Sequence, residues 1–378
     1  SSLSQFSIST SMHIMTTSAS LRSSFAVMAT ASLLSTLLSH QCAAFAFQNA
    51  MVNRRSTVLH LQMARGMTMD LETPNVLRQG SSLLKSTPFA VCKPVVRTTP
   101  LDENQASVRK AEVSHGMPWR SSIDPTYAGD GPFYMKFWEY QMNFMKEHLT
   151  NLRALPTTSS TGKDMSYVEN SNDHIRMHTL QFQSDEYQLI RLTLLDAGNK
   201  TQVFTSLWYP DASYNLPVLG VDFLQFNNVK HLCISDFQPI HDTEASHDAP
   251  YEHLMEPIRS QFPSLQGKMT KKFYDENQHF SSQMLLAREE DPDAVRQMME
   301  HDLPAAFQGY LRTHVQLVKS TTPQPDRAHE IRACYRAYDK YSSARDPAHG
   351  LLTRYFGAEF ADEYVYDILF PQSQEPDE

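Results

Sequence analysis

The chain has 378 residues, of which 41% are hydrophobic, enough for one large domain or two ordinary ones with a sizeable core. Its formal net charge of −9 argues against nucleic acid as a general partner. The chain has only 12 Gly and no G-x-G-x-x-G, so the sequence predicts no nucleotide bound through the usual glycine-rich loops. The nucleophile motif G-x-S-x-G is also absent.

Residues 1–69 have the composition of a targeting leader. They contain no Asp or Glu, four arginines and many Ser, Thr and Ala. A short apolar segment at 25–38 is followed by Ala44 and Ala46, which suit a signal-peptidase site. A signal segment followed by a transit peptide is typical of proteins bound for the stroma of a complex plastid; a tail without targeting meaning is the alternative. No apolar run long enough to cross a membrane follows this leader.

Residues 70–114 are interpreted as an irregular linker, 115–370 as a single domain and 371–378 as a tail, because the linker is rich in Pro, Ser and Thr and lacks periodicity. After Gly131, apolar residues recur at three- and four-residue steps, which predicts a helix that lies on a sheet. The residues of this face are Tyr134, Trp138, Met142, Met145, Leu149 and Leu152.

Five short runs then predict strands joined by tight turns, and hence an antiparallel meander. The runs are 174–183, 187–195, 201–209, 216–226 and 229–237. The run 216–226 is apolar on both faces, as in a central strand covered on two sides. It carries one carboxylate, Asp222, and a buried charge is costly unless it is paired, protonated or used. An Asp hydrogen-bonded within the core and a working acid both remain open here.

After residue 250 the pattern is mostly helical, with a strand-like piece at 283–288. Helices are predicted over 293–320, 326–344 and 350–369, with a break or kink near Pro304. Pro347 forbids a continuous helix between the last two, so Asp346 is a loop or boundary residue. A helix cap and a functional role are both open for it. The composite predicts an α/β fold, a three-layer α/β/α sandwich with a central antiparallel sheet flanked by helices.

Cysteine and histidine residues suggest no metal site. The cysteines, Cys42, Cys92, Cys233 and Cys334, are scattered and form no C-x-x-C, which supports neither a zinc site nor a disulfide framework. The histidines His241, His247 and His253 lie in an acidic, turn-rich segment that is interpreted as a solvated loop.

Four blocks in this order resemble the ferredoxin-dependent bilin reductases over roughly residues 115–370. The blocks are Thr205-Ser-Leu-Trp-Tyr-Pro210, Leu216-Pro-Val-Leu-Gly-Val-Asp222, Ile234-Ser-Asp-Phe-Gln-Pro239 and Arg345-Asp-Pro347. The resemblance implies an antiparallel sheet between helices, with the open-chain tetrapyrrole held between the sheet and the C-terminal helices. It also implies electrons from a reduced [2Fe-2S] ferredoxin and no redox cofactor bound by the enzyme itself.

The resemblance also bears on the reaction. Phycocyanobilin-forming members carry a His at the Thr205 position and a Glu at the Thr193 position, so that activity is not implied. Members with Asp at the positions of Asp222 and Asp346 reduce the A-ring diene. The implied reaction is therefore the reduction of 15,16-dihydrobiliverdin to phycoerythrobilin, with transfer of substrate from the preceding bilin reductase. The alternative within the family is that preceding step, from biliverdin to 15,16-dihydrobiliverdin. A non-catalytic bilin carrier is the alternative from another class.

Proton donors follow from the chemistry of bilin reduction. Each electron added to a conjugated bilin raises its basicity and must be matched by a proton at a defined carbon. A buried carboxylic acid suits this task because desolvation keeps it protonated near neutral pH. Asp222 and Asp346 are therefore assigned as the two proton donors.

Binding residues are predicted from their charge and from their family position. The bilin propionates need cationic partners, and Arg288 ends a strand-like piece as a residue at the pocket rim would; a surface salt bridge is the alternative. Thr205 is expected to line the pocket through its family position. Because ferredoxin is acidic, docking requires local positive charge, for which Lys268, Lys271 and Lys272 are the candidates, with an ordinary solvated face as the alternative.

Overall fold

The structure is a computed structural model that describes residues 101–241, 250–268 and 278–375. Its centre is an eight-stranded sheet in the order β1-β3-β4-β5-β6-β7-β8, with β2 also paired to β3, and every pairing is antiparallel. The strands are β1 (Arg153–Leu155), β2 (Tyr167–Asn170), β3 (Ile175–Gln183), β4 (Tyr187–Ala197), β5 (Thr201–Pro210), β6 (Val218–Phe226), β7 (Lys230–Gln238) and β8 (Leu285–Glu289). The predicted meander is confirmed, and the sequence analysis missed only the short strands β1 and β2.

Turn residues set the register of the middle strands. Gly198, between β4 and β5, has a φ of 56°, and Asn227 and Asn228, between β6 and β7, both have a φ of 54°. Glycine and asparagine tolerate this left-handed region better than other residues, and turns of this hand match the twist of the strands they join. These two hairpins therefore close tightly and fix the pairing of β4 with β5 and of β6 with β7.

Helices lie in sequence before and after the sheet. They are α1 (Glu103–Glu112), α2 (Met135–His148), α3 (Glu252–Arg259), α4 (Pro292–Gln297), α5 (Leu303–Ser320), α6 (Ala328–Ser343), α7 (Ala348–Phe356) and α8 (Ala358–Glu363). Short 3₁₀ turns occupy Ser114–Gly116, Pro263–Leu265 and Pro325–Arg327, and π-helical turns occupy Met298–Asp302 and Tyr364–Leu369.

The two faces of the sheet are covered by different helices. One face packs against α2 and α5, whose Phe137 and Phe307 contact Phe223 of β6. The other face packs against α6, α7, α8 and the π-helical turn that follows α8, with Tyr209 of β5 against Tyr335. Successive residues of a strand point to opposite faces, so β6 needs apolar side chains on both. The predicted three-layer α/β/α sandwich is confirmed.

Several local predictions need correction. The segment 101–114 was assigned to the linker but contains α1, which begins where Asp102 accepts a hydrogen bond from the Gln105 N–H (2.8 Å) and packs Val108 into the core. The interruption predicted near Pro304 is present, because the π-helical turn Met298–Asp302 separates α4 from α5, and Pro304 lies in the first turn of α5. His253 belongs to α3, so its assignment to a solvated loop is wrong.

Two further predictions concern the last helical segment and the N-terminal region. The predicted helix over 350–369 is divided at Gly357, which has a φ of 93° between α7 and α8. The predicted leader at 1–69, and the linker as far as residue 100, lie outside the described residues. Among the helices that are described, none has both the length and the apolar character needed to span a bilayer.

Candidate functional site

A row of paired residues crosses the sheet beneath the C-terminal helices. Thr179 of β3 pairs with Thr193 of β4, which pairs with Thr205 of β5, which pairs with Asp222 of β6, which pairs with Ile234 of β7. Directly opposed residues on neighbouring strands project from the same face of a sheet. Thr205 and Asp222, which are 17 residues apart in the sequence, therefore stand side by side.

Part of this face of the sheet is not fully covered by the helices. We call the floor the five residues Thr205, Asp222, Leu224, Leu232 and Ile234, which share this face and are only half-buried. The surrounding side chains of the same face are buried, and they include Val203, Leu207 and Val218. A central strand between two helical layers is expected to be fully covered, so the floor marks an opening between the sheet and the C-terminal helices.

Tyr364 closes the row on the side of β3 and β4. Its hydroxyl lies 2.8 Å from Thr179 Oγ1 and 2.6 Å from Thr193 Oγ1, and Tyr364 itself is 2% exposed. These contacts bury both threonines, while Thr205, one strand further along, stays half-buried. The opening therefore begins at β5.

Asp222 is protonated at neutral pH. The pKa of its carboxyl is raised to about 8, chiefly by burial and also by the nearby Asp346 carboxylate, while the positive charge of Arg191 lowers it. Desolvation and a neighbouring like charge both disfavour an ionised carboxylate. Among the residues that the structure describes, none forms a hydrogen bond or ion pair with the Asp222 carboxyl. The core hydrogen-bonding role that the sequence left open for Asp222 is therefore not what the structure shows.

Two other buried carboxyls make a useful contrast. Burial raises the pKa of Asp236 to about 7, and that carboxyl accepts hydrogen bonds from the backbone N–H (2.8 Å) and the hydroxyl of Ser281. Burial also raises the pKa of Asp339 to about 7, and Tyr209 Oη–H (2.8 Å) and the Gln372 N–H (2.9 Å) bond to it. Both groups connect chain segments, as buried polar groups ordinarily do.

Asp346 lies between α6 and α7 and approaches the floor from the helical layer. Its Oδ1 accepts a hydrogen bond from the Ala348 N–H (2.7 Å), and its own N–H donates to the Ser342 carbonyl (2.9 Å). It is half-buried, and its carboxylate is near enough to Asp222 to raise the pKa of that group. The Asp346 side chain therefore accepts a hydrogen bond from the first N–H of α7, and its charge acts on Asp222.

Arg191 is a member of the site that the sequence analysis missed. It is 1% exposed, its Nη1–H donates to Thr193 Oγ1 (2.9 Å), and its Nη2–H donates to Thr205 Oγ1 (3.4 Å). Its Nε is buried without a hydrogen-bond partner. The signal was available, because Arg191 is the only charge within the apolar run 187–195, as Asp222 is within 216–226.

Arg288 stands at the edge of the floor. It lies on β8 opposite Leu232, which in turn pairs with Leu224, so all three project from the same face. Its side chain is exposed, and its Nη1–H donates to the Lys268 carbonyl (3.2 Å). The structure thus brings Arg288 to the same face as Asp222 and places the exposed Lys268 next to it. Lys271 and Lys272 lie outside the described residues.

Among the described residues, neither the cavities nor the positions of metal-binding side chains suggest a different active site. A cavity of about 420 Å³ lies between residues 168–172 and Tyr355 with Phe356, and one of about 180 Å³ lies beside Phe133 and His231, both away from the floor. Within the described residues, no three His, Cys, Asp or Glu side chains are grouped so as to hold a metal ion. The floor with Asp222 is therefore the candidate active site.

Comparison with known proteins identifies the family. The model of the ferredoxin-dependent bilin reductases matches residues 148–371. The chain belongs to this family. It is therefore a ferredoxin-dependent bilin oxidoreductase, as the four sequence blocks indicated.

Relatives of this bilin reductase extend over much of the same region. It is 37% identical over 194 residues to the 15,16-dihydrobiliverdin:ferredoxin oxidoreductase of Nostoc punctiforme, an alignment that covers 50% of this chain and 76% of that relative. It is 35% identical over 216 residues to the protein of the same name from Gloeobacter violaceus, covering 56% and 86%. The crystal structure of tomato phytochromobilin synthase in complex with biliverdin aligns with a TM-score of 0.54 and 19% identity, over 65% of this chain and 85% of that one, which shows a shared fold.

Proposed function

We propose that this bilin reductase converts biliverdin to 15,16-dihydrobiliverdin, with electrons from reduced ferredoxin and a proton from Asp222. The observation that carries the proposal is Asp222 itself, a carboxyl that holds its proton at neutral pH on the open floor of the sheet. The relatives support the choice of step. Their name, 15,16-dihydrobiliverdin:ferredoxin oxidoreductase, gives the bilin as electron donor and ferredoxin as acceptor. In the direction of bilin reduction, 15,16-dihydrobiliverdin is therefore the product.

Asp222 suits the coupling of electron and proton transfer. Before reduction, a neutral carboxylic acid on the floor can contact an apolar bilin without a buried charge. After one electron is added, the bilin becomes more basic and takes the proton from Asp222. The carboxylate that results stands near the buried charge of Arg191, which favours the ionised form. Asp346 is the proposed second donor; its carboxylate is ionised while Asp222 holds its proton, so it must take up a proton before it can donate one.

A second candidate is the reduction of 15,16-dihydrobiliverdin to phycoerythrobilin. The observation that favours it is the pair Asp222 and Asp346, the combination for which the family resemblance implies reduction of the A-ring diene. In that case the substrate would come from the preceding bilin reductase. The non-catalytic carrier is set aside, because family membership makes the chain an oxidoreductase.

Other residues on or beside the same face of the sheet are proposed to bind the bilin and ferredoxin. Arg288, at the rim of the floor, is proposed to bind a propionate, and Thr205, held by Arg191, to line the bilin pocket. The reductant is ferredoxin, and we propose that the enzyme carries no redox cofactor of its own. The exposed Lys268 beside Arg288 is proposed as part of the ferredoxin contact, together with Lys271 and Lys272. The composition of residues 1–69 supports a plastid location.

An anaerobic assay separates the two steps. Biliverdin and 15,16-dihydrobiliverdin are offered separately to the enzyme with reduced ferredoxin, and the products are identified from their absorption spectra. Conversion of biliverdin to 15,16-dihydrobiliverdin, with no turnover of the latter, is expected. Formation of phycoerythrobilin from 15,16-dihydrobiliverdin, with biliverdin left unchanged, would contradict the proposal and support the second candidate.

A further inference from the structure

Three polar side chains meet where α6, the segment before β6 and the end of β7 come together. Cys334 lies in α6, Asn215 precedes β6, and His241 follows β7. The Cys334 Sγ is 3.3 Å from His241 Nδ1, and His241 Nε2 is 2.5 Å from Asn215 Oδ1. All three are half-buried, and none belongs to the floor. The sequence predicts a solvated loop around His241, whereas in the structure its ring contacts a thiol 93 residues away.

The contacts of His241 select the tautomer that a general base needs. The Asn215 carbonyl oxygen can only accept a hydrogen bond, so His241 carries its proton on Nε2. The lone pair of Nδ1 then faces the Cys334 thiol. A nucleophile, a base and a group that orients the base are the three parts of activated-thiol sites, including those with Cys, His and Asn.

We propose that Cys334, His241 and Asn215 form a thiol-exchange site that reacts with small disulfides of the glutathione class. His241 Nδ1 takes the proton from Cys334 Sγ, and the thiolate attacks one sulfur of the disulfide. A Cys334–S–S–R bond forms as the R–S–S–R bond breaks, and the leaving thiolate receives the proton from His241. The chain gains a mixed disulfide and one R–SH is released, so no further oxidant is needed.

The position of Cys334 favours exchange at sulfur over acyl transfer. Acyl transfer needs N–H donors aimed at an oxyanion, and a helix offers free N–H groups only in its first turn. Cys334 is the seventh residue of α6 (Ala328–Ser343), where the N–H groups bond within the helix. Its neighbours Ala333 and Ala337 are exposed and small, which leaves room for a disulfide to approach along the helix surface.

Thiol reactivity measured residue by residue tests this site independently of bilin turnover. The reduced full-length chain is treated with oxidised glutathione near neutral pH, and each cysteine is followed by peptide mass mapping. Alkylation rates are measured in parallel across pH. We expect the mixed disulfide at Cys334 and an alkylation midpoint below the ordinary thiol pKa of about 8.5. Cys233, which is 1% exposed, serves as the unreactive internal reference.

Variants of the base complete the test. His241→Gln should slow the reaction of Cys334 at about pH 7 by roughly tenfold or more, and leave it unchanged at about pH 10, where the thiol ionises without a base. Asn215→Ala should have the same pattern with a smaller effect, and His253→Gln, exposed on α3, should have none. The proposal is overturned by an ordinary midpoint for Cys334, by no effect of His241→Gln at about pH 7, or by an equal loss at both pH values.

Discussion

Thr205 and Asp222 are directly opposed on β5 and β6, yet the Thr205 hydroxyl is hydrogen-bonded by Arg191 and not by Asp222. The guanidinium thus holds the threonine in place while the carboxyl beside it stays without a partner among the described residues. A half-buried carboxyl in this position keeps its proton until a substrate that is basic enough accepts it.

Asp222→Asn should abolish the proton transfer and leave the shape of the floor intact. We expect bilin affinity close to that of the parent enzyme and a loss of turnover of about 10²–10⁴-fold, the usual contribution of a positioned acid. Bilin binding is measured by absorbance titration and turnover by the anaerobic ferredoxin assay. Asp236→Asn is the matched control, because it should reduce thermal stability through its lost bonds to Ser281 and not turnover at moderate temperature. Full activity of Asp222→Asn would remove this residue from the mechanism.

Turnover should fall as pH rises past about 8. The pKa of Asp222 is about 8, so the carboxyl is protonated below that pH and ionised above it, and only the protonated form can donate. The pH dependence of kcat/KM for bilin, measured with reduced ferredoxin in excess, provides the profile because it reports groups of the free enzyme. A rate that stays constant well above pH 8 would mean that the proton comes from another group.

The same pKa makes folding stability dependent on pH. The pKa of Asp222 is about 8 in the folded chain against an ordinary value of 3.8, so between these values only the folded chain keeps the proton. The contribution of Asp222 to stability is therefore fully present below about pH 4 and is lost as pH rises to about 8. Urea unfolding at about pH 5 and about pH 8 should show a smaller difference in Asp222→Asn than in the parent. An equal difference in both would show that Asp222 is not the group responsible.

Asp346→Asn separates the capping role from the electrostatic one. Asn keeps a side-chain oxygen for the Ala348 N–H, so helix α7 should remain capped. The lost negative charge no longer raises the pKa of Asp222, so the alkaline limb of the pH profile should move to lower pH. Asp346→Ala should move the limb in the same direction and also lower the free energy of unfolding by about 1 kcal/mol. The donor role proposed for Asp346 also predicts lower turnover in Asp346→Asn. If Asp346→Asn has both the turnover and the pH profile of the parent enzyme, Asp346 acts only on the helix end.

Arg191→Met should move the alkaline limb of the pH–turnover profile to higher pH. Met has a similar length but no charge, so the force that lowers the pKa of Asp222 is removed and turnover should persist to higher pH. Thr205 and Thr193 lose their hydrogen bonds from the guanidinium, which should weaken bilin binding if Thr205 lines the pocket. Arg176→Met is a matched control, since Arg176 pairs with Asp196 away from the floor. A limb shifted to lower pH would contradict the role assigned to Arg191.

Arg288→Ala tests the rim of the floor. A charge-assisted bond to a propionate contributes about 1.5–3 kcal/mol, so the bilin Kd should rise by roughly tenfold or more. Arg296→Ala, which removes an exposed arginine paired with Asp293 on α4, should leave the Kd unchanged. Equal affinity in Arg288→Ala and the parent enzyme would show that the propionate is held elsewhere.

The amino-acid sequence alone determined the layers of this protein. Alternating runs with turn residues between them predicted five strands in their correct order, because strand periodicity and tight turns are local properties. The doubly apolar run 216–226 identified the central strand and the unusual Asp222 within it. Pro347 likewise placed Asp346 between two helices, because proline restricts its own backbone and that of the residue before it.

The tertiary structure alone decided which of these residues act together. The partner of Asp222 across the opening is 124 residues away in the chain, and the guanidinium that opposes its charge lies two strands away. No local pattern reports such distances, because they depend on register and on how the helices pack over the sheet. Helix α1 lies wholly within a segment of linker-like composition, and its packing on the core is visible only in the structure. The contact between His241 and Cys334 is likewise visible only there. Local periodicity specifies elements, whereas electrostatic coupling and proton affinity arise only where packing removes water and brings distant charges together.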